Sequence, residues 1–253
     1  MPEVNLFNSS NSVAAMITVN RPGGVNYVHD AISSLTRTGF FDRFELLHLV
    51  AGCPNTDYIE RYRDDPRIII HDMSRNEKNN WKEMYLLSKC AYGHTRMIRE
   101  IEAIPDWNEV LLLEDDIIFT NGWLSYLDAI LPEIREKHRD NWMLALYQHY
   151  GVKIQHAKGL RWYPIVLPPE DPHYHGGLAE IHTRECLRGM ADHIYATGVR
   201  QFVMPSDYAT GDYIYSKGGE VLATAPSLVQ HIGRVSTGQS GGFHQSDLFL
   251  EAV

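Results

Sequence analysis

Apolar positions along the chain follow two periods, and each period predicts an element. Val13 to Val19 is a short apolar run closed by Asn20-Arg21-Pro22-Gly23-Gly24, the pattern of a buried strand that ends in a turn. Val28, Ala31, Ile32 and Leu35 then recur at the helical period and form one stripe. Strands are expected at Phe44 to Val50 and Arg67 to His71, with a polar helix over Asp57 to Asp64 between them. This βαβαβ alternation predicts an α/β fold, a parallel sheet covered by helices.

One long helix is expected over Glu77 to Ile104, with Met84, Leu87, Ala91, His94, Ile98 and Ile101 on its inner stripe, stopping before Pro105. Val110 to Leu113 is wholly apolar, short enough for a central strand, and ends abruptly in Glu114-Asp115-Asp116. A helix with Leu124, Leu127, Leu131 and Ile134 inward follows, then a strand at Met143 to Tyr147. From Gln148 to His175 aromatic, His and Pro residues accumulate, a texture of hairpins and loops. Gly176 to His182 predicts a strand that enters a helix at Thr183, an N-cap residue. A last helix is expected from Ser206 or Asp207 to Gly218-Gly219, a last strand over Val221 to Ala225, and then a Gly/Ser-rich tail. No internal repeat or linker interrupts the pattern, so residues 1–253 are expected to form a single domain.

Composition narrows the function. With 44% hydrophobic and 22% charged residues the chain has material for a full core, which excludes disorder. Lys+Arg 23 against Asp+Glu 32 gives a net charge of -9, which disfavours partners bound through phosphate neutralisation, nucleic acid above all. Cys53, Cys90 and Cys186 are odd in number and lack C-x-x-C spacing, so they are expected to be reduced thiols of a soluble, cytoplasmic protein. Met1 to Ser12 has no signal-peptide pattern, and no run approaches the ~18 apolar residues of a membrane span.

The chemistry concentrates where strands end. Glu114, Asp115 and Asp116 repel one another, and burying them beside an apolar strand costs several kcal/mol unless a positive charge sits among them. A divalent cation would meet that cost, and oxygen ligands suit Mn²⁺ or Mg²⁺. The same acids also serve as the start of a solvated loop or as helix caps, and the residues alone leave both readings open. Asp207 is a cap or a general base, and His231 is one of thirteen histidines. His173-x-His175 is a further metal pair to consider.

Together these patches resemble a known family. Thr18-Val19-Asn20-Arg21 after the first strand, with Leu111-Leu112-Leu113-Glu114-Asp115-Asp116, is similar to the nucleotide-sugar half of GT-A glycosyltransferases, whose DxD-type motif often appears as Glu-Asp-Asp. Met204-Pro205-Ser206-Asp207-Tyr208 and Pro226-Ser227-Leu228-Val229-Gln230-His231-Ile232-Gly233 resemble elements of the N-acetylglucosaminyltransferase IV catalytic domain. Gly176-Gly177-Leu178-Ala179 is similar to an acceptor-side segment of lipopolysaccharide glycosyltransferases. The resemblance implies a GT-A fold with a donor half over about 13–147 and an acceptor half over about 148–253. It implies Asp116 and His231 as ligands of Mn²⁺ or Mg²⁺, and Thr18, Val19, Arg21, Glu114 and Asp115 as contacts of a UDP-sugar. Asp207 becomes the base of an inverting transfer, Gly176, Gly177, Trp162 and Tyr163 acceptor contacts, and the Ser236 to Gln245 tail a lid. The donor implied is UDP-GlcNAc, with UDP-Gal or UDP-Glc as variants, and the acceptor a glycan, lipid-linked glycan or protein. Two other classes fit some of the residues. A phosphohydrolase or nucleotidyltransferase would use clustered acids with metal, and a carbohydrate-binding module would use Trp162, Tyr163, His173 and Tyr174 without one.

Overall fold

The computed structural model describes residues 12–201, 204–235 and 244–249. Its first strand, β1 (Ser12–Thr18), shows why the opening run is apolar without alternation. Ala14 and Met16 enter one core while Ala15 and Ile17 enter the other, and all four are buried. A strand covered on both faces needs apolar residues at every position. α1 (Val28–Arg37) covers the first face through the expected stripe of Val28, Ala31, Ile32 and Leu35. β2 (Leu47–Ala51) and β3 (Ile68–His71) extend the sheet in parallel beside β1, and a 3-10 segment over Asp57–Tyr62 takes the place of the polar helix.

The single helix expected over Glu77 to Ile104 is two. α2 (Arg75–Glu83) opens with a capping box formed by Ser74 and Glu77, and α3 (Leu86–Glu102) begins after Met84 turns extended. Trp81 ties α2 elsewhere: its indole N–H donates to the Gly52 carbonyl at 3.0 Å, at the end of β2. Leu87 therefore falls out of the stripe and is 48% exposed, whereas Ala91, Ile98 and Ile101 remain in the second core.

β4 (Glu109–Glu114) pairs in parallel with β1 on the side away from β2. The chain continues through β5 (Ile117–Phe119), α4 (Trp123–His138), β6 (Trp142–Ala145), α5 (Val152–Ala157), β7 (Trp162–Pro164) and β8 (Ala179–Thr183). α6 (Arg184–Leu187), α7 (Met190–Ile194), α8 (Ser206–Ser216), β9 (Glu220–Thr224) and β10 (Val229–His231) follow. The main sheet has the order β3-β2-β1-β4-β8-β6-β9-β7 and is mostly parallel; β8 runs antiparallel to β4 and β6, and β7 to β9. Residues of α1 and α4 pack in one core, and residues of α3, α7 and α8 in the other. The expected α/β class is thus the observed one.

Two features of this topology place a site. The chain runs outward from β1 to β3 and then returns to β4 on the other side of β1, so the strand order reverses between β1 and β4. Such a reversal opens a crevice at the carboxyl ends of the two strands. β5 and β10 then form a separate antiparallel ladder that pairs Ile117 with His231, bringing the end of the chain to the end of β4. Among the described residues no helix is long and apolar enough to cross a membrane. Most of the Ser236 to Gln245 tail lies outside the described residues.

Candidate functional site

The acid cluster at the end of β4 meets a counter-charge from the end of β1. Arg21 Nη2 bonds Asp115 Oδ1 at 2.7 Å and Asp116 Oδ2 at 2.8 Å, with all three side chains less than a tenth exposed. The Val19 N–H donates to Asp115 Oδ2 at 3.0 Å, and the Tyr27 ring lies 4.9 Å from the guanidinium. Arg21 thus supplies a positive charge where a divalent cation is expected from the sequence. Burial works against the Arg21 charge, but Asp115 and Asp116 more than offset it and raise its pKa. Burial pushes Asp115 up to about 6, with Arg21 opposing the rise. An Arg21→Met variant leaves two adjacent buried carboxylates without their shared cation, with only the Val19 N–H on Asp115 and His231 on Asp116, and is expected to lose about 3 kcal/mol of stability in urea unfolding. A loss below about 1 kcal/mol would show that water, rather than Arg21, carries the cluster.

Asp116 has a second partner. His231 Nε2 lies 3.2 Å from Asp116 Oδ2, and the Ile232 N–H donates to the Asp116 carbonyl at 2.8 Å, so the end of β10 is clipped onto the acid motif. Burial opposes the charge on Asp116, yet the His231 hydrogen bond and Arg21 hold its carboxyl below the usual range. Asp116 Oδ1 is buried with no hydrogen-bond partner among the described residues. A Cβ on Gly233 would sit 2.2 Å from Asp116 Oδ2 and 2.7 Å from His231 Nε2, so only glycine lets the backbone pass over the pair. Among the described residues no set of three His, Cys, Asp or Glu side chains forms a closed metal site. Two donors with an open side nevertheless fit Mn²⁺ or Mg²⁺, which bind through one or two carboxylates and complete their shells with water and substrate phosphates.

The third acid turns elsewhere. Glu114 Oε1 lies 3.2 Å from His94 Nε2 on α3, and although burial favours neutral imidazole, Glu114 raises His94 to about 9. In the sequence His94 stands only as part of an apolar stripe. The sole polar residue among those six positions was the available signal.

Arg21, Glu114, Asp116 and His231 border a cleft of about 930 Å³, and Asp207, Tyr208 and His173 border the same cleft. Asp207 stands in the first turn of α8, where its Oδ2 accepts the Gly176 N–H at 3.4 Å. Burial pushes Asp207 up to about 6; the Tyr208 and Gly176 N–H groups oppose that rise and Glu114 adds to it. The Tyr208 ring stacks on His173 at 4.6 Å and meets His175 edge-on at 4.7 Å, and His175 Nε2 pairs with Asp171 at 2.7 Å. These imidazoles are thereby engaged in an aromatic wall.

The remaining residues singled out from the sequence divide. Val19, Tyr163, Gly176 and Gly177 border the cleft. Thr18 does not: it is fully buried, accepts from the Tyr58 hydroxyl at 3.0 Å, and supports the strand end from behind. Trp162 lies apart as well, with its indole N–H 3.3 Å from Glu133, its ring edge-on to His138 and Lys137 Nζ 5.0 Å from its centre. An indole packs as readily against a lysine and a sheet edge as against a sugar, so its place in an aromatic-rich segment did not fix its direction.

No protein-family model and no curated protein matches the sequence. Among solved structures, the crystal structure of GalNAc-T7 with UDP, GalNAc and Mn²⁺ superposes at a TM-score of 0.57 with 11% identity, over 91% of this chain and 44% of that one. The chain therefore spans less than half the length of that protein. A 4-diphosphocytidyl-2C-methyl-D-erythritol synthase from Anaerococcus prevotii DSM 20548 aligns at a TM-score of 0.48 with 11% identity, over 92% of this chain and 94% of its own. At this identity a likeness speaks for architecture alone, and the architecture it identifies, a helix-flanked and mostly parallel sheet, is GT-A-like.

Proposed function

We propose that the chain is a metal-dependent, inverting glycosyltransferase that moves a sugar from a UDP-sugar, UDP-GlcNAc before UDP-Gal or UDP-Glc, to a hydroxyl of a glycan-type acceptor. The observation that carries this reading is the convergence of Asp116, with its unpartnered Oδ1, and His231 at the β1/β4 switch, on the cleft that also holds Asp207. That a GT-A structure carries UDP and Mn²⁺ supports the donor class. In this reading residues 13–147 form the donor half and residues 148–253 the acceptor half of one catalytic unit.

Asp116 and His231 would hold the cation, which when bound would supply Lewis-acid stabilisation of negative charge on the diphosphate. Arg21 fixes Asp115 and Asp116 in place and brings a positive charge to the cleft in which a diphosphate would lie. Glu114, oriented by His94, accepts hydrogen bonds from donor hydroxyls. Tyr208 and Tyr163 offer ring faces and edges to an acceptor sugar. Asp207 accepts the proton of the attacking hydroxyl, and a single displacement from that side inverts the anomeric carbon.

The test is UDP release from a panel of UDP-sugars, with Mn²⁺ and with EDTA. EDTA is expected to reduce release to background and excess Mn²⁺ to restore it. Release indifferent to EDTA would overturn the metal assignment, and sugar phosphate in place of UDP would move the protein to phosphoryl-transfer chemistry.

A further inference from the structure

Gly176 has a neighbour that accounts for it, and the same neighbour accounts for Gly211. Tyr174 is fully buried, and its phenol is threaded against the loop that follows it. A Cβ at Gly176 would lie 1.9 Å from the Tyr174 hydroxyl oxygen, and a Cβ at Gly211, on α8, would lie 2.4 Å from the Tyr174 Cβ. Gly177 has φ +93°, a conformation that L side chains rarely adopt, and its Cβ position is 3.4 Å from the Cβ of Asp207. Glycines at these places admit the phenol between the loop and the helix that carries Asp207.

The phenol oxygen is tied to the same loop. It accepts the Gly177 N–H at 3.3 Å, and the buried Glu180 carboxylate on β8 is near enough for its charge to push the phenol, already raised by burial, up further. Glu180 is itself anchored, with His182 Nε2 2.8 Å from its Oε2. Although burial opposes the charge, His182 holds the Glu180 carboxyl below its ordinary range, so it remains an acceptor. One step further along the loop, the Gly176 N–H reaches Asp207 Oδ2.

We propose that Tyr174 is a positioning residue for Asp207: packed between Gly176 and Gly211 and accepting the Gly177 N–H, it holds the Gly176-Gly177 backbone so that the Gly176 N–H orients the Asp207 carboxylate. The inference rests on the reading of Asp207 as the base, but its first consequence is measurable without any substrate. Asp207 faces Tyr208 on its own helix, Tyr174 and His175 on the glycine loop, and Glu114 on β4. Of these surroundings only the N–H groups of Gly176 and Tyr208 and the charge of His175 favour its ionised form. Loosening the loop removes the Gly176 contribution, so the midpoint of Asp207 rises.

The experiment is a ¹³C-carboxyl NMR titration of Asp207 in the wild type and in Tyr174→Phe, together with thermal melting and transfer kinetics. Tyr174→Phe is expected to move the Asp207 midpoint up by about half a pH unit. It should lower kcat about 10-fold with the donor KM unchanged, because a displaced base affects the reaction and not donor binding. A lower melting temperature with the midpoint and kcat unmoved would reduce Tyr174 to a packing residue and overturn the proposal. Should Tyr174→Phe fail to fold, Gly211→Ala, which drives a methyl into the Tyr174 Cβ, has to shift the same midpoint in the same direction or the proposal falls. A wild type that transfers no sugar defeats the glycosyltransferase reading and leaves the titration result standing. A wild type that transfers while both variants titrate unchanged defeats only the role of Tyr174.

Discussion

Asp116→Ala is expected to reduce sugar transfer by about 10³-fold while leaving the fold intact, the larger part of the loss appearing in kcat. The asymmetry follows from the pairing at the cluster. Removing Asp116 leaves Arg21 bonded to Asp115 at 2.7 Å, a matched pair of one cation and one carboxylate. It also removes a buried oxygen, Oδ1, that has no partner among the described residues, and an unpaired buried acceptor costs about 1–3 kcal/mol. The lost Arg21 and His231 contacts and the relieved burial therefore oppose each other, and urea unfolding should shift by no more than about 1 kcal/mol. Arg21→Met breaks the same cluster from the other side and should be the more destabilising of the two. Calorimetric titration with Mn²⁺ separates the roles: the wild type should bind it more tightly in the presence of UDP, and Asp116→Ala should lose that response. A folded Asp116→Ala protein that keeps Mn²⁺ affinity and turnover would remove Asp116 from the metal site.

Legibility in the sequence followed the range of the interactions. β1 and β4 were evident because burial on both faces leaves a local mark, an apolar run without alternation. The stripe of α1 was equally local. The division between α2 and α3 was hidden because the apolar period runs on through Met84; what separates the helices is Trp81 reaching Gly52, a contact across 29 positions. β5 and β10 are three residues each, too short for a period to register, yet their ladder delivers His231 to Asp116. Only the family resemblance suggested that proximity. The antiparallel insertion of β8 between β4 and β6 and the short α5, whose Val152 alone is buried, left no comparable pattern. Three adjacent acids do require a positive charge, and Arg21, just after the parallel neighbour strand β1, already supplies it at the same end of the sheet. In the proposed reading Asp116 and His231 remain for a cation, and a pair of that kind would bind its metal together with the substrate.

Asp207→Asn is expected to be both inactive and more stable at neutral pH, and the combination distinguishes a base from a helix cap. Asparagine retains an oxygen of nearly the same shape to accept the Gly176 N–H, so the tie between α8 and the glycine loop is kept. What it loses is the ability to take a proton, and transfer should fall about 10³-fold. The stability change has a definite sign. Burial raises the folded-state pKa of Asp207 from 3.8 to about 6. A carboxyl raised in this way favours the folded state below the unfolded value, and that benefit is lost as the pH climbs through about 6. Above that point the native chain holds a desolvated charge at a cost on the order of 2–3 kcal/mol, which the neutral amide avoids. The melting temperatures of wild type and Asp207→Asn should therefore nearly coincide near pH 4 and separate between pH 4 and 7, with the variant higher. In the wild type the transfer rate should rise with pH through the same midpoint, as ionisation produces the base. A simple N-terminal cap predicts the opposite order of stabilities at neutral pH, because the helix dipole favours a negative charge there. An Asp207→Asn protein less stable than the wild type at pH 7.5, with transfer undiminished, would assign Asp207 to the cap and place the base elsewhere in the cleft.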